Sequence, residues 1–390
     1  MPMYKFKHSH PRPYSAKWNS HASVLGRNVL PMSVADMDLP VCEEIRAAMI
    51  ATAQRHDFGY AHYHSDISEL VARWYETEFQ CSIEAEDIQE IPGMLMTIGA
   101  LIRHLTKEGD GVIIFNPVYH SFAGTIRDNH RQPIECSLIK GESGRYQINF
   151  ELFEQQCREH TVVLLCNPHN PTGQCWTVEE LEQLISIARR NGTVVISDEI
   201  HADFTYLDSK VPFTSIFSAT ADTDGIIAFY SGGKIFNLGG LFGGFAITKD
   251  TSLYQMIQTI IKELHWLPNV FTHEAMYHGF KYGRAYKQEL ILHIRKIHHQ
   301  TIARIKNASR QISIPLPDAG YLIWIDMSST GWSDKDIHEF FVFEAKLGVN
   351  SGPNFGTGGE GHIRMNCAVS DTLLTEAMSQ LIPAIKRNKI

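Results

Sequence analysis

Lys234 is the one charged side chain in a stretch of glycines, small residues and hydrophobes, FYSGGKIFNLGG at 229–240. A lysine amine attacks a carbonyl carbon only when it is neutral, and desolvation or a nearby cation lowers the pKa of lysine enough to supply that form. The small neighbours leave room for a flat ring beside the amine. Taken alone, Lys234 is also typical of a surface lysine in a glycine-rich loop.

Asp198 directly follows a short apolar run, within SDEIHADF at 197–204. A carboxylate at the end of a buried strand is costly unless it is paired, so it either caps a helix or meets a buried cation. Alone, the capping interpretation is favoured. Beside a reactive lysine, the carboxylate suits the ring nitrogen of pyridoxal phosphate, which needs a buried anion to keep the proton that makes the ring an electron sink.

Apolar runs of strand length alternate with helical patterns between residues 110 and 250, which predicts an α/β domain. The runs are GVIIFNP, TVVLLCNP, GTVVISDE, GIIAFYSG and LFGGFAIT. Between the second and third runs, Thr177 and Glu180 fit a helix capping box, and Asn191-Gly192 supplies a stop signal. This pattern predicts a right-handed parallel crossover. The last two runs are too close for a helix between them and are expected to pair antiparallel, giving a mixed sheet.

Polar signatures follow three of these strands, namely NPHNPTG at 167–173, SDEIHADF and SGGK. In open α/β sheets, ligands bind at the carboxyl ends of the strands. We therefore expect the three signatures to meet at one rim of the sheet.

The rest of the chain predicts a second, smaller domain. Residues from about 251 to 310 are typical of long helices, and an α+β pattern begins at IPLPDAGYLIWIDM. We place a large cofactor-binding domain at 45–285, and a small domain at 1–44 together with 286–390. A length of 390 residues suits one large domain with a smaller companion.

Composition excludes several classes of function. The net charge is −8 and the 35 Lys and Arg residues are scattered, which disfavours nucleic-acid binding. No stretch approaches the roughly 20 apolar residues of a membrane span, and the N-terminal sequence lacks the apolar region of a signal peptide, so we expect a cytoplasmic protein. The seven cysteines have no metal-binding spacing and are expected to be free thiols. HIRKIHHQ, at 293–300, is interpreted as a solvated helix face, and no metal site is predicted.

The order and spacing of NPHNPTG, SDEIHADF and SGGKIFNLGG resemble the fold-type I pyridoxal-phosphate enzymes of the aspartate aminotransferase superfamily. Further motifs, SVADMDLP, FGYAHY, NPVYHSF and NFGTGGEGHIRMN, look like its carbon–sulfur β-lyase branch, the cystathionine β-lyase type. The resemblance covers residues from about 30 to 370. It implies the aspartate aminotransferase-like fold, with a mostly parallel mixed sheet between helices in the large domain and an α+β small domain.

The resemblance assigns cofactor roles to four residues near the rim. Lys234 matches the lysine that forms a Schiff base with pyridoxal 5′-phosphate, and Asp198 matches the partner of the pyridine nitrogen. Asn170, the second asparagine of NPHNPTG, matches the hydrogen-bond donor to the ring oxygen. His201 stands where many relatives carry a tyrosine facing that oxygen; without the motif it would be interpreted as a core histidine.

The phosphate of the cofactor is expected at a helix start that contains Gly93 and Met94, where free N–H groups suit an anion. Ser231 can add a hydroxyl, and Tyr60 resembles the tyrosine that reaches the phosphate of the other subunit in a homodimer with shared active sites. The chain departs from the aminotransferase pattern at Phe242, where classical members place a phosphate-binding arginine.

The substrate is expected to be a small molecule, an amino acid. Arg364 matches the arginine that forks onto the α-carboxylate, for which a planar bidentate donor is suited. Tyr119 matches the aromatic residue that stacks on the cofactor ring and acts in catalysis, and the resemblance adds Ala35 and Asn170 to the substrate contacts.

The resemblance implies β-elimination from L-cystathionine or related L-cysteine S-conjugates, releasing a thiol, pyruvate and ammonia. Two alternative functions share this fold. An aminotransferase of class I/II would use the same residues, and a pyridoxal-phosphate-sensing regulator would carry an N-terminal DNA-binding module, for which about 30 residues before the first motif leave no room.

Overall fold

The apolar runs of the sequence form the central strands of a seven-stranded sheet in a computed structural model of the chain. The structure describes residues 4, 6–7, 12, 14–19, 29–56, 58–60 and 64–390. The last three residues of the motif FGYAHY and much of the segment 1–28 lie outside this range.

Fourteen strands lie in the described ranges. They are β1 Leu30–Pro31, β2 Ile88–Ile91, β3 Gly111–Ile114, β4 Gln132–Glu135, β5 Ile139–Lys140, β6 Tyr146–Gln147, β7 Val162–Cys166, β8 Val194–Asp198, β9 Ile226–Tyr230, β10 Gly244–Ile247, β11 Leu322–Asp326, β12 Leu347–Gly348, β13 Asn350–Ser351 and β14 His362–Asn366.

Eleven α-helices of six residues or more connect and cover these strands where the chain is described. They are α1 Glu43–Gln54, α2 Ile67–Phe79, α3 Met94–Leu105, α4 Ser121–Asp128, α5 Phe150–Cys157, α6 Val178–Arg190, α7 Thr251–Glu263, α8 Val270–Tyr282, α9 Arg284–Ala308, α10 Asp334–Glu339 and α11 Asp371–Asn388. No helix among the described residues has the length and apolar character needed to cross a membrane.

The large sheet has the strand order β2-β10-β9-β8-β7-β3-β4. Strands β4, β3, β7, β8 and β9 are parallel, whereas β10 pairs antiparallel with both β9 and β2. This arrangement confirms the predicted mixed sheet. The predictions missed β2 and β4, the two edge strands, because IQEI and QPIE mix polar with apolar residues and are only partly buried.

Helix α6 forms the predicted crossover between β7 and β8. The side chain of Thr177 accepts the N–H of Glu180, and the Glu180 side chain accepts the N–H of Thr177, so both halves of the capping box are present. The helix ends at Asn191, and Gly192 follows with a left-handed φ of 70°. The right-handed return places the carboxyl ends of β7 and β8 side by side.

The large sheet packs apolar side chains on both faces. Along β3, Val112 and Ile114 enter one core cluster while Ile113 enters the other, as the two-residue period of a strand requires. Both faces are covered by helices, so the carboxyl ends of the parallel strands are left as the open rim.

A second, three-stranded antiparallel sheet has the order β11-β14-β13. Strand β1, near the N-terminus, pairs in parallel with β12, so residues 30–31 join the C-terminal part of the chain. This pairing agrees with the grouping of N- and C-terminal residues in one small domain, while the boundaries at 44 and 285 stay predictions.

The interpretation of HIRKIHHQ as a solvated helix face is wrong. These residues lie in α9, and His293, Arg295 and His298 are buried. The Nε2 atom of His293 donates to the carbonyl of Val369 at 2.8 Å, and Arg295 pairs with Asp208 at 2.6 Å. The side chains of His293 and Arg295 can be buried because each has a partner on a neighbouring segment. A hydropathy pattern does not reveal such partners. The exception is His298, whose two ring nitrogens have no hydrogen-bond partner among the described residues.

All seven cysteines are buried and free, as predicted.

Candidate active site

A cavity of about 350 Å³ opens at the carboxyl ends of β7 and β8 and beside the turn after β9. It brings together eight of the predicted site residues. They are Ala35, Met94, Tyr119, Asn170, Asp198, His201, Lys234 and Arg364. The three polar signatures therefore meet at one rim, as the order of the strands predicts.

Asp198 is the last residue of β8 and is buried. Its Oδ1 atom accepts the N–H of Ile200 at 3.1 Å. Burial raises the pKa of Asp198 to about 7, although the N–H of Ile200 and the nearby Lys234 act in the opposite direction. A carboxylate in this position gains from a cationic ligand, because a close positive charge offsets its loss of hydration.

Lys234 lies in the turn after β9, partly exposed to the cavity. Its Nζ atom donates to the carbonyl oxygen of Ala35 at 2.8 Å. Burial and the positive charge of Arg364 lower the pKa of Lys234, against the opposing effect of Asp198 and Asp36. Both causes, burial and a nearby cation, are those that the sequence argument named for shifting a lysine towards its nucleophilic neutral form.

His201 faces the same cavity with a neutral ring. Burial, together with the charges of Lys234 and Arg364, lowers the pKa of His201 to about 3. Its Nδ1 atom is buried and has no hydrogen-bond partner among the described residues. A buried polar atom without a partner is costly, so a ligand group at this point would stabilise the site.

Arg364 lies in β14 and is buried. Its two terminal nitrogens donate to Oδ1 of Asn170 at 2.9 Å, to Oδ1 of Asn350 at 2.9 Å and to the carbonyl of Ser33 at 3.1 Å. The guanidinium also lies 4.8 Å from the ring centre of Phe355. All three acceptors are neutral oxygens, and burial lowers the pKa of Arg364 to about 10.

Four lining residues were missed by the sequence predictions, Val34, His120, Ile200 and Asn350. Asn350 stands opposite Arg364 in the antiparallel pairing of β13 with β14. That register is a tertiary feature, so nothing in the local sequence indicates the pair. By contrast, His120 directly follows Tyr119 in NPVYHSF and could have been found from that position.

Three predicted residues do not line the cavity of their own chain. Gly93 immediately precedes α3, whose first residue, Met94, does line it. The hydroxyl of Ser231 donates to the carbonyl of Gly243 at 2.9 Å and accepts the N–H of Gly233 at 2.9 Å. Tyr60 is 97% exposed. Their cofactor roles stay predictions.

A larger apolar groove of about 860 Å³ lies beside the active-site cavity, on the outer side of the first turn of α3. We call it the α3 groove. Its large hydrophobic lining residues are Met49, Leu95, Met96, Leu241, Phe242, Leu264, Trp266, Leu267 and Phe271. Phe242 is 73% exposed and Leu267 is 61% exposed. A contiguous apolar surface of this kind marks an interaction site in soluble proteins.

The fold and the cavity define a class of α/β protein in which an aspartate that ends one strand and a lysine that follows the next strand share a site with a buried arginine. The chain belongs to the class I and II aminotransferase family, whose sequence profile matches residues 27–381.

The similar proteins extend over nearly the whole chain. Cystathionine beta-lyase PatB of Bacillus subtilis is 30% identical over 377 residues, which cover 95% of this chain and 96% of PatB. Protein MalY of Escherichia coli is 26% identical, with 96% of each chain covered. The crystal structure of cystalysin from Treponema denticola, which contains a pyridoxal 5′-phosphate cofactor, matches with a TM-score of 0.93 at 27% identity, covering 99% of this chain and all of that one. These findings confirm the predicted superfamily and fold class.

Proposed function

We propose that the protein is a pyridoxal-phosphate-dependent carbon–sulfur β-lyase that acts on L-cystathionine or related L-cysteine S-conjugates. The observation that carries the proposal is one cavity that contains a lysine of lowered pKa, a buried aspartate and a buried arginine. In the described part of the chain, this arginine has no anionic partner. The name of PatB, a cystathionine beta-lyase, supports this reaction over other reactions of the same family.

The residues present fit the cofactor. Asp198, whose carboxylate is costly without a cation, would hold the protonated ring nitrogen. The orphaned Nδ1 of His201 and the side-chain amide of Asn170 would face the ring oxygen, and Tyr119 would lie against the ring. Gly93, Met94 and Ser231, together with Tyr60 of a second subunit, would hold the phosphate. Bound pyridoxal phosphate supplies the electron sink that makes the Cα proton of an amino acid removable.

Arg364 would bind the α-carboxylate of the substrate. Because its present acceptors are the neutral oxygens of Asn170, Asn350 and Ser33, a substrate carboxylate would be its first anionic partner in the described part of the chain. The two asparagines hold the guanidinium plane from both terminal nitrogens, so the arginine is oriented before the substrate arrives. Pre-orientation of this kind lowers the entropic cost of binding.

Lys234 would remove the Cα proton. Its free amine donates to the carbonyl of Ala35, which orients the Nζ atom. Burial and the charge of Arg364 lower the pKa of Lys234, which favours the neutral form that accepts a proton. Loss of that proton allows the Cβ–S bond to break with its electron pair on sulfur, so the thiolate leaves. Water then converts the three-carbon remainder to pyruvate and ammonia.

Incubation of the purified protein with L-cystathionine tests the proposal. We expect stoichiometric release of thiol, pyruvate and ammonia without an added keto acid. Amino transfer that requires a keto acid, with no thiol released, would instead identify an aminotransferase.

A second measurement tests the lysine. The wild-type protein should show visible absorbance that borohydride abolishes, and Lys234→Ala should lose the covalent link to the cofactor, whereas the exposed control Lys262→Ala should keep it. A borohydride-trapped cofactor on another lysine of the Lys234→Ala variant would overturn the assignment of Lys234.

We also propose a homodimer with shared active sites. The α3 groove presents exposed apolar side chains next to the predicted phosphate site, and Tyr60 is almost fully exposed on its own chain. Burial of these surfaces against a second copy would stabilise the dimer by about 25 cal/mol for each Å² of apolar surface removed from water. We further infer a cytoplasmic location, because seven buried free thiols suit a reducing compartment.

A further inference from the structure

Residues 33–38, here called the 33–38 segment, precede α1 and pass the active-site cavity, which Val34 and Ala35 line. The chain bends at 34–35, where the N–H of Asp36 donates to the carbonyl of Val34 at 2.8 Å. The backbone carbonyls of five successive residues in this segment each accept a side-chain donor from elsewhere in the molecule. The pairs are Ser33 with Arg364 at 3.1 Å, Val34 with Asn366 at 2.6 Å, Ala35 with Lys234 at 2.8 Å and Tyr321 at 2.9 Å, Asp36 with Lys17 at 3.0 Å and Asn366 at 2.9 Å, and Met37 with Arg12 at 2.9 Å and Asn237 at 3.1 Å.

Two of these donors are the central cations of the site. The carbonyl of Ala35 accepts a hydrogen bond from Lys234 while the amine of Lys234 is free, and the carbonyl of Ser33 accepts one from Arg364. The position of one short stretch of backbone therefore helps to orient both side chains, together with Asn170 and Asn350 in the case of Arg364. A displacement of about 1 Å in such groups is enough to lower activity by roughly a hundredfold.

The side chains of the segment are held from the N-terminal side. Arg12 pairs with Asp36 at 2.7 Å and with Asp38 at 3.1 Å. The buried carboxylate of Asp38 also pairs with the buried Lys17 and accepts the indole N–H of Trp18 at 2.8 Å. Asp38 thus has three donors from residues 12–18, and a buried ion pair strongly destabilises its surroundings when one member is removed.

We propose that Asp38 is a positioning residue for the active site, which acts by tying the 33–38 segment to Arg12, Lys17 and Trp18. Asp38 does not line the cavity, so its effect passes through the backbone of residues 33–37 to Lys234 and Arg364. The contacts from residues 12–18 fix the segment, and the segment fixes the two cations. The kinetic part of this inference rests on the proposed function, whereas the structural part does not.

The test compares the holoenzyme of Asp38→Asn with the wild type by hydrogen exchange and by kinetics. The amide of Asp38 is bound to the carbonyl of Ala368 at 2.9 Å and that of Met37 to Asn237 at 3.3 Å, so exchange in a peptide covering 33–38 reports directly on the segment. We expect exchange there to rise at least tenfold. KM for an L-cysteine S-conjugate should rise roughly tenfold through Arg364, and kcat should fall through Lys234.

Asp250→Ala is the matched control. Asp250 caps α7 through the N–H groups of Ser252 and Leu253 and accepts the N–H of Gly225. Its loss should lower the stability of the protein without touching the segment. Exchange at 33–38 and KM should stay at wild-type values in this control.

Arg12→Gln is a second, milder variant, because Arg12 is only half-buried and Lys17 still neutralises Asp38. It should show the same two changes at smaller size, and it keeps the test valid if Asp38→Asn fails to fold. Unchanged exchange at 33–38 in both folded variants would overturn the proposal. Raised exchange with unchanged KM would overturn the link to Lys234 and Arg364, and absence of lyase activity in the wild type would count against the proposed function alone.

Discussion

At the scale of single residues, Asp198 carries a cost that only a ligand removes. Burial raises the pKa of Asp198 to about 7, so the folded chain binds this proton more tightly than the unfolded chain does. Stability of the cofactor-free protein therefore falls as pH rises from about 4 to about 7, and the loss remains above that range. A functional group that destabilises its own fold is typical of active sites.

Replacement of Asp198 by Asn should remove the loss of stability that the ionised carboxylate causes, and it should also abolish the function of Asp198. At pH 8 the cofactor-free variant should melt several degrees above the cofactor-free wild type, and the difference should shrink towards pH 4, where both side chains are neutral. Turnover should collapse, because an amide does not stabilise a cationic ring nitrogen. Thermal melts across pH and a lyase assay check both parts; a cofactor-free variant less stable than the wild type at pH 8 would contradict the electrostatic argument.

The site residues that could be predicted from the sequence are those at the carboxyl ends of the strands of the large sheet. Lys234, Asp198 and Asn170 each follow a recognisable strand, and the rule that ligands bind at the carboxyl ends of strands brought them together. Asn350 could not be found in this way, because its contact with Arg364 depends on the register between two short strands. The motif SVADMDLP and Ala35 marked the 33–38 segment in the sequence, but the hydrogen bonds that its backbone carbonyls accept could not be read from residue types.

At the scale of elements, the central strands and α6 were predictable because their period and capping signals agree with their burial. The edge strands β2 and β4 and the buried polar face of α9 were not. In each case tertiary partners decide the outcome: β2 is fixed by its pairing with β10, and the polar side chains of α9 by partners such as Val369 and Asp208.

The turn that carries Asn170 gives a test at this scale. Gly173 has a left-handed φ of 72°, and a Cβ at this position would lie 2.5 Å from Cβ of Pro317 and 2.9 Å from the carbonyl oxygen of Ala319. Gly173→Ala must therefore shift the turn against the C-terminal part of the chain. We expect a loss of well over 1 kcal/mol in the free energy of unfolding and a clear fall in kcat/KM.

Gly192→Ala provides the matched control, because Gly192 has a similar φ of 70° but open space around the added Cβ. It should cost only the conformational penalty of about 1 kcal/mol and leave kcat/KM unchanged. Denaturant unfolding and steady-state kinetics on both variants measure the difference. Equal losses in the two variants would show that packing around Gly173 adds nothing.

At the scale of the whole molecule, the α3 groove predicts self-association. Leu267 is 61% exposed in the groove, whereas Leu292 on α9 is 64% exposed outside it. Leu267→Asp should bury a charge in the proposed interface and shift the protein towards monomer, while Leu292→Asp should leave its association unchanged. Sedimentation velocity over a concentration series gives the result, and a Leu267→Asp protein with the wild-type association constant would exclude the groove from the interface.

The last prediction concerns active sites assembled from two chains. Lys234 lines the cavity of its own chain, whereas Tyr60 is 97% exposed there and is proposed to reach the phosphate of the second subunit. The Tyr60→Ala homodimer and the Lys234→Ala homodimer should each have low lyase activity. A mixed dimer contains one chain of each variant. One of its sites then combines an intact Lys234 with an intact Tyr60 from the other chain, and the second site carries both substitutions.

Random reassociation of equal amounts makes half of the molecules mixed, so the mixture should reach about a quarter of wild-type activity under two-fold symmetry. The matched control mixes Lys234→Ala with Asp198→Asn. Both of these residues line the cavity of their own chain, so each site of the mixed dimer keeps one defect and no activity returns. With subunit exchange verified by mass, a Tyr60 mixture no more active than the mean of its two parents would mean that Tyr60 serves its own chain or no site at all.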